Sequence, residues 1–347
     1  MRSNLASSAL VLRGVEPAAE ALCAQMRHAK LAPDIAVAFA RWDGAAWQAV
    51  AGGSRAFFDL ASLTKSFVAA SVVTQGLPLS TPVSALLPAL AGTYAGGVTL
   101  EDMLSHRSGL RAHAHLWLCA SRAEALHHSG NLTQRGWDGV AAVYSDLGYI
   151  LAGEMLAVHA GKPLAEVVQR HVCVPLGLGV ASAASLTTEV EVAPTEFMPG
   201  RGGLLRGVVH DDNAWFLSGK GVSGHAGLFG TARDVLTFAT AMADAQAGRG
   251  PWASLVEPLL RARLGGAMRA GFDGKRGADS LAGRLCSDAT FGHLGFTGTS
   301  YWVDPLAGIA TVLLTNRVSP SSAHPEGIRS WRPRAHDVLW EMANGLG

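Results

Sequence analysis

Ser62-Leu63-Thr64-Lys65 sets a hydroxyl and an amine three residues apart at the expected start of a helix. Side chains at that spacing share one helix face, so the amine can meet the hydroxyl. A serine needs a base to become a nucleophile, and an amine supplies one when burial or a neighbouring cation keeps it neutral. Lys65 stands among Leu63, Phe67, Val68, Ala69, Ala70, Val72 and Val73, and Asp59 precedes the serine. The plain alternative is a capping serine followed by a lysine that snorkels to solvent. A second candidate is Tyr144-Ser145-Asp146. A phenol beside a lysine can share its proton and act as general acid or base; otherwise Ser145 or Asp146 caps a helix and Tyr144 is merely packed. The third is Phe291-Gly-His293-Leu-Gly295-Phe296-Thr-Gly298-Thr-Ser300. Glycines in a strand admit close approach of a ligand, and such an edge can donate an N–H to an oxyanion. Its alternative is a bulge and turn with a structural histidine.

The elements that must position these residues follow from periodicity and turn signals. A helix is expected over 16–31, strands over 34–41 and 46–51 with a hairpin turn at Trp42-Asp43-Gly44, and a helix from about Ser62 ended by Gly76. Helical signals follow over 99–106, 122–128, 137–158 and 163–173, then a Gly- and Pro-rich connector over 174–230 and a helix over 231–248. Strands return over 290–296, 299–303 and 308–315, and a helix over 334–346 closes the chain. This order predicts one α/β domain of the α+β type over 1–347, with an antiparallel sheet flanked by helices. The sheet lobe would take about 1–75 and 231–347, and an inserted, mostly helical lobe about 76–230, with a site in the cleft between them.

Composition narrows the function classes. Of 347 residues, 49% are hydrophobic and 16% charged, too apolar a mixture for a disordered chain. The formal net charge of +1 offers no surplus for nucleic acid or an anionic membrane surface. Lysine supplies only five of the 28 basic residues, which singles out Lys65. Cys23, Cys119, Cys173 and Cys286 are widely separated, form no CxxC pair and read as free thiols in a reducing compartment. The N-terminus makes a poor signal peptide, Glu20-Ala21-Leu22 before Cys23 a poor lipoprotein box, and no apolar run is long enough to span a membrane. A cytoplasmic location is expected, with the periplasm as the alternative.

Taken together, the three candidates resemble the serine β-lactamase and penicillin-binding-protein superfamily, in its class C β-lactamase, D-alanyl-D-alanine carboxypeptidase and esterase branch. That branch carries S-x-x-K, then Y-x-N or Y-S-[ND], then K-[TS]-G or H-x-G, in this order. The stretches from Leu100 to Leu110 and from Gly224 to Asp234 are similar to two further family segments, so the resemblance covers about residues 30–345. It implies a β-lactamase-like fold, an acylated Ser62, and proton transfer shared by Lys65 and Tyr144; which of the two is the base stays open. It further implies an oxyanion hole from the N–H groups of Ser62 and Phe296, the latter following His293-Leu294-Gly295. His293 replaces the commoner lysine and would be only partly charged near neutral pH; Asp146 replaces the common asparagine. Both departures favour an esterase or amidase over the alternatives, a D-alanyl-D-alanine carboxypeptidase or β-lactamase and a catalytically silent ligand-binding member. The implied partner is a small ester, amide or peptide-like molecule, with no cofactor and no metal; oligomeric state is not legible.

Other constellations carry less. Gly221-Val-Ser-Gly-His225 fails the nucleophile-elbow pattern at its last position. His113-Ala-His115 has no further ligands to complete a zinc set. His210-Asp211-Asp212-Asn213 reads as a polar loop at the lobe junction, and His106 and His225 as structural histidines in turns. Asn316-Arg317 is equally compatible with facing substrate and with a structural role.

Overall fold

A strand whose two faces both read apolar must be covered twice, and Ile35–Trp42 shows how. Ile35, Val37 and Phe39 enter one hydrophobic cluster with residues of the helices Pro17–His28 and Glu326–Asn344. Ala36, Ala38 and Ala40 enter the other, with the helix Ala232–Gln246. Alanine on that face lets the helix pack close to the sheet. The fold is that of a computed structural model, which describes residues 10–12 and 17–346. The N-terminal stretch read above for export signals lies outside the described residues, apart from Leu10–Leu12 and the chain from Pro17 onward.

The main sheet has the spatial order Leu10–Leu12, Trp47–Gly53, Ile35–Trp42, Ile309–Thr315, Ser300–Asp304, Phe291–Leu294, Asp273–Gly274. Its central register pairs Val37 with Leu313 and Phe39 with Thr311, so the two ends of the chain meet in mid-sheet. All pairs are antiparallel except the first: Leu10–Leu12 runs parallel to Trp47–Gly53, the intervening helix and strand supplying the crossover a parallel pair needs. At the opposite edge Asp273–Gly274 pairs only with Phe291 and Gly292, which leaves the outer side of His293 and Leu294 open. A small sheet of Phe58–Asp59, Leu228–Gly230 and Ala181–Ser182 lies at the approach to Ser62.

Three expectations need correction. The helix read over 137–158 begins only at Asp146. Before it, Gly136 and Gly139 adopt φ of 71° and 81°, a left-handed backbone that breaks a helix, and Asp138 Oδ1 accepts from the N–H groups of Val140 and Ala141. The last helix begins at Glu326 and runs through Pro333 rather than starting after it. A proline inside a helix costs about 3 kcal/mol, which burial of Ile328, Ala335, Leu339 and Trp340 outweighs. The helix expected from Ser62 is a 3₁₀ turn, Ala61–Leu63, followed by the α-helix Thr64–Thr74. That helix is apolar nearly all round because it is buried on all sides.

The helix Asp146–Ala160 meets the Ser223–Ala226 turn through paired glycines. A Cβ on Gly224 would stand 1.7 Å from the Tyr149 carbonyl oxygen, and one on Gly153 would stand 2.7 Å from Gly224 Cα. Gly224→Ala should therefore destabilise the protein by about 1–3 kcal/mol, the range for overpacking. A lower urea midpoint at constant m would show it; an unchanged midpoint would mean that the close approach is absent.

Candidate active site

The 3₁₀ turn carrying Ser62 is built by its neighbours. Ala61 has φ of 47°, a left-handed conformation disfavoured for a residue with a Cβ. Asp59 holds it there: Oδ1 accepts from Ala61 N–H at 2.8 Å and Oδ2 from His210 N–H at 2.8 Å. Burial raises the Asp59 pKa, against the hydrogen bonds and charge that lower it. The substrate-side turn is tied to the same segment, Thr297 Oγ1 donating to Asp59 O at 2.7 Å and Thr299 Oγ1 to Leu60 O at 3.1 Å. Gly295 is required by this closeness, since a Cβ would fall 2.0 Å from Thr299 Oγ1 and 2.9 Å from Leu60 O. Among the described residues no acceptor is found for the N–H of Ser62 or of Phe296. Both residues line one cleft, and free N–H donors there can receive an oxyanion.

Lys65 is fully buried, and its ammonium donates to Ser62 Oγ at 2.8 Å and to the His225 carbonyl at 3.3 Å, with Asp146 Oδ1 at 2.8 Å. Burial pulls its pKa down, but Asp146 and then Tyr144 outweigh burial and hold it above the ordinary lysine value. For Asp146 burial works upward, yet Lys65 above all, helped by His113 and His225, keeps the carboxyl below the usual range. A carboxylate in the first turn of a helix also meets the positive end of the helix dipole. The preceding Ser145 is the cap, its Oγ accepting from Gly148 N–H at 3.1 Å. Tyr144 directs its phenol at Lys65 and Ser62, with Lys65 Nζ 4.8 Å from its ring centroid. Burial raises the phenol's pKa, Lys65 lowers it and Asp146 raises it, for a net upward direction.

His293 corrects the expectation of partial charge. It is buried on the strand Phe291–Leu294, its Nδ1 donates to Leu294 O at 2.8 Å, and burial, followed by the charge of Lys65, lowers its pKa to about 3. It is a neutral imidazole at any physiological pH. Phe296 is half exposed and its ring stacks on His210 at 5.6 Å.

Several residues read as structural turn out to hold the site. His106 Nδ1 accepts from Ser145 N–H at 3.0 Å, its carbonyl accepts from Val143 N–H at 2.8 Å, and its ring lies 4.5 Å from that of Tyr144. Burial, then Lys65 and His293, push its pKa well down, consistent with a neutral ring that accepts at Nδ1. His225 bonds Asp211 Oδ1 at 2.8 Å, while Asp211 caps the helix Asp212–Ser218. Burial raises the Asp211 pKa, but His225 brings it down to about 2. The 210–213 stretch is therefore a helix start whose Asp211 pairs with the buried His225 imidazole, rather than a polar loop. Of the pair Asn316-Arg317, Asn316 is structural, bonding Asp34 and Pro194, whereas Arg317 lines the cleft. His113 approaches Asp146 Oδ2 at 3.7 Å, and no group of metal-ligating side chains is present among the described residues.

Ser62, Tyr144, Asp146 and His293 open on one cleft of about 940 Å³. The sequence profile of the Beta-lactamase family matches residues 26–334, and the chain belongs to that family, a family of serine hydrolases. It is 28% identical over 312 residues to an N-acetylmuramyl-L-alanine amidase of Bacillus subtilis (strain 168), covering 79% of this chain and 70% of the relative. It is 26% identical over 318 residues to a putative D-alanyl-D-alanine carboxypeptidase of Escherichia coli (strain K12), covering 80% and 73%. In structure it is similar to a class C β-lactamase from Rhodobacter sphaeroides, with a TM-score of 0.67, 19% identity, and coverage of 96% and 100%.

Asp146 raises the pKa of both Lys65 and Tyr144, so Asp146→Asn lowers both. Whichever group must be deprotonated for attack, the acid limb of the kcat/KM profile should move to lower pH in the variant. A limb that stays in place or moves upward would remove Asp146 from control of the base.

Proposed function

We propose that this chain is a serine hydrolase that cleaves an ester or amide through an acyl-enzyme on Ser62. The observation that carries the reading is the 2.8 Å contact of buried Lys65 with Ser62 Oγ, set beside two unengaged N–H donors. Ser62 Oγ attacks the carbonyl carbon, and the developing oxyanion takes the N–H groups of Ser62 and Phe296. The serine proton passes to Tyr144 as phenolate or to Lys65 as free amine, whichever has first released its own proton to solvent, and from there to the leaving oxygen or nitrogen. Water then repeats the attack on the acyl-enzyme and releases the acid. As an ammonium, Lys65 donates to Ser62 and has no lone pair for its proton. The carboxylate of Asp146 is what keeps it in that state.

An esterase or non-peptidoglycan amidase is favoured over a β-lactamase or carboxypeptidase. Asp146 puts a negative charge where an amide would hydrogen-bond a β-lactam side chain, and neutral His293 offers no cation to a substrate carboxylate. The cell-wall reading has the names of the two relatives in its favour. A silent binding role fits poorly with retention of Ser62, Lys65 and Tyr144 together.

Ser62→Ala should lower turnover of p-nitrophenyl butyrate by at least about a thousandfold with little change in the melting temperature. Lys65→Ala should lose as much activity and in addition destabilise the fold by about 3–5 kcal/mol, since it strands the Asp146 carboxylate. Full activity in Ser62→Ala would sink the mechanism. Rapid turnover of a chromogenic cephalosporin, or a stable penicilloyl adduct by intact mass, would move the assignment to the cell-wall reading.

A further inference from the structure

The cleft does not stop at the face of the sheet that holds Ser62. Residues paired across antiparallel strands share a face, so the register separates two compartments. His293 pairs with Tyr301, whose hydroxyl donates to Ser66 Oγ at 2.8 Å, on the nucleophile side. Gly292 and Leu294 pair with Trp302 and Ser300, on the side of the final helix, where Ser300 Oγ meets His336 at 2.8 Å. Gly292 has no side chain, and the Trp302 indole lies over it: a Cβ there would fall 2.7 Å from Trp302 Cε3. Beyond Gly292 the sheet edge is unpaired, and around that opening the same cleft is lined by Leu281, Leu294, Trp302, Ile328 and Arg332.

Two donors in this far compartment lack acceptors. Trp302 is 1% exposed and Arg332 6% exposed, yet both Trp302 Nε1 and Arg332 Nε are buried with no hydrogen-bond partner. Arg332 Nη2 is used, donating to the carbonyls of Gly295 at 2.9 Å and Thr299 at 3.1 Å. Among the described residues no carboxylate lies within ion-pair distance of Arg332, Arg317 or Arg329, all three of which line the cleft. Burial, then the charge of Arg317, lowers the Arg332 pKa to about 10, which still leaves it a cation at neutral pH. A buried guanidinium satisfied only by carbonyls is an incomplete arrangement, because burying a charge is tolerated chiefly when it is paired. Of the carboxylates lining the cleft, Asp146, Asp211 and Asp212 lie toward the nucleophile, whereas Asp273, paired with Gly292 across the sheet edge, is engaged by Arg276 at 3.1 Å rather than by Arg332.

We propose that the compartment behind the strand Phe291–Leu294 is an oxyanion-binding site, formed by Arg332 Nε and Trp302 Nε1, that takes a carboxylate carried by the substrate at the end remote from the scissile bond. A carboxylate has two oxygens to accept from N–H donors and supplies the charge that Arg332 lacks. The site is separate from His293 and lies on the other face of the sheet. Its substrate arm rests on the serine-hydrolase reading, whereas its binding arm does not.

The test compares kcat/KM for p-nitrophenyl butyrate with two charged esters. These are mono-p-nitrophenyl glutarate, with the carboxylate in the acyl chain, and 4-butyryloxybenzoate, with it in the leaving group. Wild type should prefer one of the charged esters by about tenfold or more, as expected of buried donors left unpaired by the neutral analogue. Trp302→Phe, which removes only the N–H, and Arg332→Gln should each erase most of that preference, read as a ratio within each variant. In parallel, glutarate is titrated calorimetrically into Ser62→Ala, with and without Trp302→Phe. Binding that weakens in the double variant supports the site even if no ester is turned over, a result that would sink the hydrolase reading alone. Glutarate binding without preference for either charged ester would mean a free anion occupies the site and overturns the substrate assignment. Unaltered ratios in both variants, or no binding at all, overturns the proposal entirely.

Discussion

A single buried cation organises this molecule. The Lys65 ammonium is out of reach of solvent, so its charge must be met by protein groups, and it meets them on three separate stretches of chain: it donates to Ser62 and to the carbonyl of His225 and pairs with the carboxylate of Asp146. Each of those stretches is in turn held by something else. Asp59 fixes the turn of Ser62, His106 holds the Tyr144–Ser145 segment, and the Asp211–His225 pair fixes the loop that offers the carbonyl. Burying one charge thus obliges the nucleophile turn, the helix Asp146–Ala160 and the 210–226 connector to meet at one point.

The strand Phe291–Leu294 is the second constraint, and it works through what is missing. Gly295 has no Cβ, so the strand end can lie against Leu60, two residues before Ser62. The short outer strand leaves His293 and Leu294 with an open side where an extended substrate can lie. Gly292 lets Trp302 cross to that same opening from behind. Glycine, an unpaired edge and a few threonine hydroxyls thereby turn an ordinary antiparallel sheet into one wall of a cleft with two faces.

The departures at Asp146 and His293 act in one direction electrically. A carboxylate beside Lys65 holds the amine charged, and a neutral imidazole replaces a cation on the opposite wall. The nucleophile end of the cleft is left poor in positive charge accessible to substrate, while Arg317, Arg329 and Arg332 line the cleft elsewhere without a carboxylate at ion-pair distance among the described residues.

Much of this was legible in the residues. The S-x-x-K pair at a helix start, the tyrosine and the glycine-flanked strand are local patterns whose chemistry depends on residue type and near spacing, and the sheet's apolar strands follow from periodicity. The helix boundaries were less legible: Gly136 and Gly139 interrupt an apolar run that periodicity alone extends, and packing of the last helix overrides Pro333. Least legible were the roles of Asp59, His106, His210 and His225, which act through partners as far as 238 positions away in the chain. Sequence by itself determined which groups could react, because reactivity belongs to the side chain. Only the tertiary structure decided their charge states and the donors left without acceptors, because burial, ion pairing and hydrogen-bond satisfaction are properties of the space that distant segments enclose.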